Sequence, residues 1–256
     1  MFPYIGICDF PSGEQTLKTA EFFRELCVSH RLSRKLMVGV MMSFKTLTGQ
    51  PSKRTKSWPK NEEVADIFIN HPAVLNTLHY ADYSYNTSAW HLLEAAKFGG
   101  PRLQAIQLDM IWPPGVIIKK LKKAFPHLKI VLQTNTMALE AVHNDPNVLI
   151  AWLKQYGDLL DGILLDKSHG EGVEMNALEL LPFVIAVADH LPRLQIGVAG
   201  GLGPNTMDLV LPVVYEFPSV SIDAQGKLRP SGNNMDLIDW EMAHEYLREA
   251  ATIFSC

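Results

Sequence analysis

Residues 162–166 read GILLD, 195–201 read QIGVAGG and 220–226 read VSIDAQG. Each is an apolar run of strand length that ends on a chemically useful residue: Asp166, the Gly200-Gly201 pair and Asp223. A buried strand has no packing reason to finish on a carboxylate or on paired glycines. The intervening residues are long enough for the helical crossover that joins two parallel strands. Parallel strands whose carboxyl ends carry polar groups describe one side of a β/α barrel, where such folds keep their chemistry.

The same alternation runs back to the first residues. Strand-like runs occur at Tyr4 to Cys8, Leu36 to Met42, Val74 to Tyr80, LQAIQLD ending at Asp109, and KIVLQT. Helical patterns follow them from about Glu14 to Val28, Asn61 to Ile69, Ser88 to Phe98, Gly115 to Phe125 and, in two parts, Met137 to Tyr156. A last helix is expected from about Met235 to Ile253, with Ile238, Met242 and Tyr246 on one face. Eight strand–helix units with right-handed crossovers can close a sheet without edges. An open doubly wound sheet would call for a glycine-rich phosphate loop after the first strand, and DFPSGEQ has one glycine. The expected fold is an α/β, eight-stranded parallel TIM barrel forming one domain over residues 1–256.

The 256 residues are the usual size for such a barrel, and 47% hydrophobic with 20% charged residues suits a globular enzyme. A net charge of -4 gives no general attraction to nucleic acid or anionic lipid. Cys8, Cys27 and Cys256 are odd in number and widely spaced, which argues for free thiols in a reducing compartment. No signal peptide is apparent, and the apolar stretch Leu178 to Ala188 is too short for a bilayer and reads as a buried helix. A cytoplasmic location is expected. Lys45, Lys53, Arg54, Lys56 and Lys60 make the loop after the second strand basic, which reads as a solvated lid over an anionic substrate.

Side chains alternate along a strand, so parity groups Cys8 with Tyr4 and Gly6, Asp109 with Gln107, Asp166 with Leu164, and Asp223 with Ser221. A thiol, three carboxylates and an amide at one barrel mouth have the parts for proton transfer on a small polar substrate. Gly200 and Gly201 lead to Pro204-Asn205-Thr206, a helix start, so peptide nitrogens and a helix amino end can meet an anion there. Gly226, Lys227 and Arg229 complete the expected cradle, matching the phosphate sites that recur after the seventh and eighth strands of this fold.

These residues resemble phosphoribosylanthranilate isomerase, one of the ribulose-phosphate-binding barrels, which acts in tryptophan biosynthesis. Ile7-Cys8 is similar to the family's first-strand KIC motif, Leu164-Leu165-Asp166 to its LLD motif, Gln107-Leu108 to its QLH element and Ala199-Gly200-Gly201-Leu202 to its AGGL phosphate loop. The resemblance implies an Amadori rearrangement of an aminoaldose phosphate to the ketose, with Cys8 as general base and Asp166 as general acid. It also implies that Asp223 contacts the amine, and that Arg54, within Ser52-Lys53-Arg54, and Gln107 contact the substrate; Asp109 at its strand end and His169 in a glycine-flanked loop are expected to line it from their places at the mouth. Departures are plain: Asp109 stands where the family has histidine, SHGEG follows the sixth strand, and Ala224-Gln225 replace serines before Gly226.

The implied chemistry makes physical demands. A free carboxyl of pKa about 3.9 must be raised to act as an acid, and a thiol of about 8.5 needs positive potential to become a thiolate. The implied partner is a small phosphorylated substrate, with no nucleic acid, no membrane and no cofactor. Asp109, Asp166 and Asp223 with His79 or His169 offer cation ligands, but no HxH or DxD spacing occurs and no metal is expected. The alternative is a barrel that binds a phosphorylated ligand without turning it over. A Schiff-base aldolase is disfavoured, since Lys167 has the opposite parity to Asp166.

Overall fold

The computed structural model describes residues 3–53, 58–167 and 174–255. Eight parallel strands follow one another in chain order: β1 (Tyr4–Ile7), β2 (Lys35–Ser43), β3 (Val74–Asp82), β4 (Ala105–Met110), β5 (Lys129–Asn135), β6 (Gly162–Asp166), β7 (Gln195–Ala199) and β8 (Ser221–Ala224). They form a closed barrel, with Gly6 of β1 in register with Asp223 of β8. This is the TIM barrel that the alternation predicts.

Ten helices complete the described chain: α1 (Gly13–His30), α2 (Phe44–Leu47), α3 (Val64–Ile67), α4 (Ala89–Gly99), α5 (Gly115–Ala124), α6 (Thr136–Ala141), α7 (Pro146–Lys154), α8 (Ala177–His190), α9 (Leu211–Glu216) and α10 (Trp240–Phe254). Several start where a side chain satisfies an otherwise unpaired backbone N–H. Ser12 accepts from Gln15 N ahead of α1, and Asp145 accepts from Asn147 N ahead of α7. The outward strand residues, such as Ile5, Ile7, Leu36, Val38, Ile163 and Leu165, pack with the helices into one apolar shell.

The inward residues differ in kind. Tyr4, Cys8 and Met37 form one small cluster and Val131, Leu164 and Ala199 another; buried polar groups occupy much of the remaining interior. Parity thus sorts the apolar shell from the polar bore.

Three expectations need correction. The last helix starts at Trp240, not Met235, because Asp239 caps it by accepting from Glu241 N and Met242 N. The stretch Leu178 to Ala188 is not a buried helix: it lies on the barrel's outside, and Leu178 is 73% exposed. Pro204-Asn205-Thr206 opens no α-helix; a 3-10 turn follows at Met207–Val210, and α9 has only six residues. No helix among the described residues is long and apolar enough to cross a membrane.

Candidate active site

A cavity of about 330 Å³ opens at the carboxyl ends of the strands. Its lining includes Cys8, Gln107, Asp109, Asp166, Gly200, Gly201, Asp223 and Gly226, all singled out from sequence, together with His79, Gln133, Met41, Trp58, Tyr83 and Met137. Cys8 and Asp166 stand three strands apart around the ring, on facing sides of the mouth. Arg54 and His169 lie outside the described residues, as do Lys56 and Cys256.

One wall is built from β1, β3 and β8. Cys8 Sγ donates to Asp223 Oδ1 at 3.3 Å and lies 3.6 Å from His79 Nδ1. All three residues are buried. Glycines make this packing possible: a Cβ on Gly6 would sit 2.5 Å from Asp223 Oδ1, and one on Gly39 would sit 3.0 Å from His79 Nε2. The opposite wall is a chain of amides. Gln107 Nε2 lies 3.3 Å from His79 Nδ1 and donates to Gln133 Oε1 at 2.9 Å, and Gln133 Nε2 donates to Asp166 Oδ2 at 2.9 Å. A polar belt therefore runs from Asp223 through Cys8, His79, Gln107 and Gln133 to Asp166. Asp109 sits beside it, accepting from Asn135 Nδ2 at 2.9 Å and from the Tyr83 hydroxyl.

The electrostatics of the first wall depart from what the proton chemistry asks of a thiol. Burial pushes the Cys8 thiol well above its ordinary value, the Asp223 and Asp9 carboxylates push it the same way, and Arg229 only partly opposes them. Burial also raises Asp223 to about 7, with the Asp166 charge adding to the rise and the Cys8 hydrogen bond opposing it. Burial lowers His79 to about 3, which leaves its imidazole neutral at physiological pH. The raised carboxyl facing the thiol is thus Asp223, and the positive potential expected around Cys8 is outweighed.

The anion side also needs correction in part. Gly200 and Gly201 take positive φ values of 138° and 60°, conformations that glycine adopts without a Cβ clash, and they turn the chain around the cavity rim. Lys227 lies outside the cavity lining, and its Nζ is 3.4 Å from Glu174 Oε1. Arg229 is no part of a cradle: it is buried, with Nη2 donating to Asp9 Oδ2 at 2.5 Å, Nε to Asp236 O at 2.7 Å and Nη1 to Gln225 O at 2.5 Å. It ties the loop after β8 to the end of β1. With no α-helix opening at Pro204, the expected helix amino end for an anion is missing there.

His79 and Gln133 carry much of this belt and were not picked out as substrate-site residues. Parity would have found both: His79 shares a face with Leu75 and Thr77, and Gln133 with Val131, on strands whose register leads to the same mouth.

The arrangement of eight parallel strands with chemistry at their carboxyl ends decides the architecture. The chain is a TIM barrel. No family model matches it, and no curated protein does. Among solved structures it is similar to a spore coat polysaccharide biosynthesis protein E of Chromobacterium violaceum, at 13% identity and a TM-score of 0.61, covering 98% of this chain and 74% of that one. It is also similar to active domain 2 of a thermostable chitinase from Pyrococcus furiosus, at 8% identity and 0.52, covering 98% and 96%. The octameric Rubisco of Pyrococcus horikoshii gives 13% and 0.51, over 91% of this chain and 56% of that one. At these identities the likeness is one of fold.

Proposed function

We propose that this TIM barrel is an enzyme, an aldose–ketose isomerase that converts a phosphorylated aminoaldose to its ketose in the manner of phosphoribosylanthranilate isomerase. The observation that carries the reading is one cavity with Cys8 and Asp166 on facing sides and Gly200, Gly201 and Gly226 at its rim. The glycines suit a phosphate group, which fixes the sugar by binding energy remote from the reacting carbons.

Asp166 acts as the acid in its protonated form, the one that leaves no second charge beside Asp223: its proton goes to the furanose oxygen as the ring C–O bond breaks, and the amine nitrogen forms the C=N bond of a Schiff base. Cys8 is the base toward the adjacent carbon. Because the thiol already donates to Asp223, its own proton passes to that carboxylate as Sγ takes the proton from carbon. The C–H pair becomes the C=C bond of an enolamine, which tautomerises to the ketose. Gln133 holds Asp166 in place, and Gln107 fixes both Gln133 and His79. General acid–base assistance of this kind contributes about 10²–10⁴-fold in rate.

The test is fluorescence-monitored conversion of phosphoribosylanthranilate by the purified protein and by Asp166→Asn. Turnover by the first, lost in the second, supports the reading. Equal rates in both contradict it, and binding without turnover by either would make the protein a ligand-binding barrel.

A further inference from the structure

The wall formed by Cys8, His79 and Asp223 has a property the isomerase reading does not use. Three different lone-pair donors converge there, all buried, with one ligand atom from each lying within 4.8 Å of the others. A tetrahedral zinc centre has metal–sulfur bonds near 2.3 Å and metal–nitrogen and metal–oxygen bonds of about 2.0–2.2 Å. Those lengths place sulfur roughly 3.5 Å from the nitrogen and oxygen ligands. Here Sγ is 3.6 Å from His79 Nδ1 and 3.3 Å from Asp223 Oδ1. The two edges that meet at Sγ thus already have tetrahedral lengths, the His79 and Asp223 ligand atoms lie within 4.8 Å of each other, and all three residues line the cavity.

We propose that Cys8, His79 and Asp223 form a site for one thiophilic divalent cation of the zinc class, with its open coordination position directed into the cavity. The charges balance: a thiolate and a carboxylate offset the cation, and a neutral imidazole completes the set, so no net charge is buried. Binding replaces the proton that Cys8 shares with Asp223, and that proton leaves to solvent. Gln107 can release His79 Nδ1 at small cost, since its amide keeps Gln133 as an acceptor. With Nδ1 on the metal, the imidazole proton resides on Nε2, which lies over Gly39 and has no hydrogen-bond partner among the described residues. The site does not depend on the isomerase reading. If that reading also holds, metal binding and proton transfer through Sγ exclude each other, so bound zinc is an inhibitor and a chelator restores turnover.

Titration with Co²⁺, followed by absorption, tests the site without any substrate. The expected result is one equivalent bound, with a thiolate-to-cobalt charge-transfer band and the intense visible bands of tetrahedral cobalt. Cys8→Ser is expected to abolish the charge-transfer band, and His79→Gln to weaken binding at least tenfold. Asp109→Asn, a mouth carboxylate on the neighbouring strand that is not one of the three ligands, is expected to leave Co²⁺ binding unchanged. Circular dichroism and the thermal midpoint check that each variant is folded. No charge-transfer band in the wild-type protein at excess Co²⁺, or the same band in folded Cys8→Ser, overturns the proposal.

Discussion

Asp161 and Asp223 are both aspartates at strand ends, yet their surroundings treat them in opposite ways. Asp161 precedes β6 at the foot of the barrel, where Lys122 Nζ donates at 2.5 Å, Lys129 Nζ at 3.1 Å and Ile130 N at 3.0 Å. Burial alone would raise its carboxyl, but these three donors outweigh it and hold it below the usual range. Asp223 lies in β8 near the mouth, where burial, with Asp166 adding to it, outweighs the hydrogen bond from Cys8 and raises it to about 7. Fully satisfied charge at the foot serves stability; the less well compensated carboxyl at the mouth costs stability, the pattern common where side chains serve a function.

The largest expected effect comes from removing the mouth carboxylate. Asp223→Asn is expected to lower turnover by about 10²–10⁴-fold while leaving the thermal midpoint unchanged or raised, because a buried and opposed charge is lost. Kinetics and calorimetry on the same preparation check both halves; a large fall in midpoint would erase the contrast with Asp161. Gly6→Ala addresses the packing that makes room for Asp223. Its Cβ would lie 2.5 Å from both Asp223 Oδ1 and Met37 Cε, so a destabilisation of about 1–3 kcal/mol is expected by denaturant titration, with reduced turnover as Asp223 shifts.

At the foot the expectations reverse. Asp161→Ala strands the Ile130 N–H, and a loss of about 1–3 kcal/mol of stability with unchanged turnover is expected. The sign of the pH effect follows from the depressed folded-state pKa. Asp161 contributes stability above its unfolded-state pKa and loses it as pH falls through the folded value. Wild-type stability should therefore drop more steeply on acidification than that of Asp161→Asn, in urea midpoints measured from neutral pH downwards. The smallest effect is expected at Arg24, paired with Glu21 at 2.7 Å with both side chains about half exposed: Arg24→Ala should leave the urea midpoint unchanged within error.

Much of the fold was legible because the alternation of period-two and period-3.6 patterns repeats eight times, and of the residues grouped by parity Cys8, Gln107, Asp109, Leu164, Asp166 and Asp223 line the mouth, whereas Tyr4, Gly6 and Ser221 do not. The strand ends at Cys8, Asp109, Asp166 and Asp223 could be placed for that reason. What a local pattern does not contain is pairing across the chain. The Asp9–Arg229 ion pair joins residues 220 apart and turns an expected phosphate cation into a structural tie. Lys227 is diverted to Glu174 in the same way. The start of α10 depended on Asp239 as a cap, within a loop where the apolar spacing of Ile238 resembled another helical turn. The thiol's environment was the least legible feature, since it depends on how closely β1, β3 and β8 bring Cys8, His79 and Asp223 together.

The most direct test of the proposed chemistry compares wild-type protein with Cys8→Ala in the fluorescence assay for phosphoribosylanthranilate, at matched thermal midpoints. Turnover by the wild type and a loss of at least a hundredfold in folded Cys8→Ala is the predicted result. Equal turnover in the two proteins would contradict the assignment of Cys8 as the base.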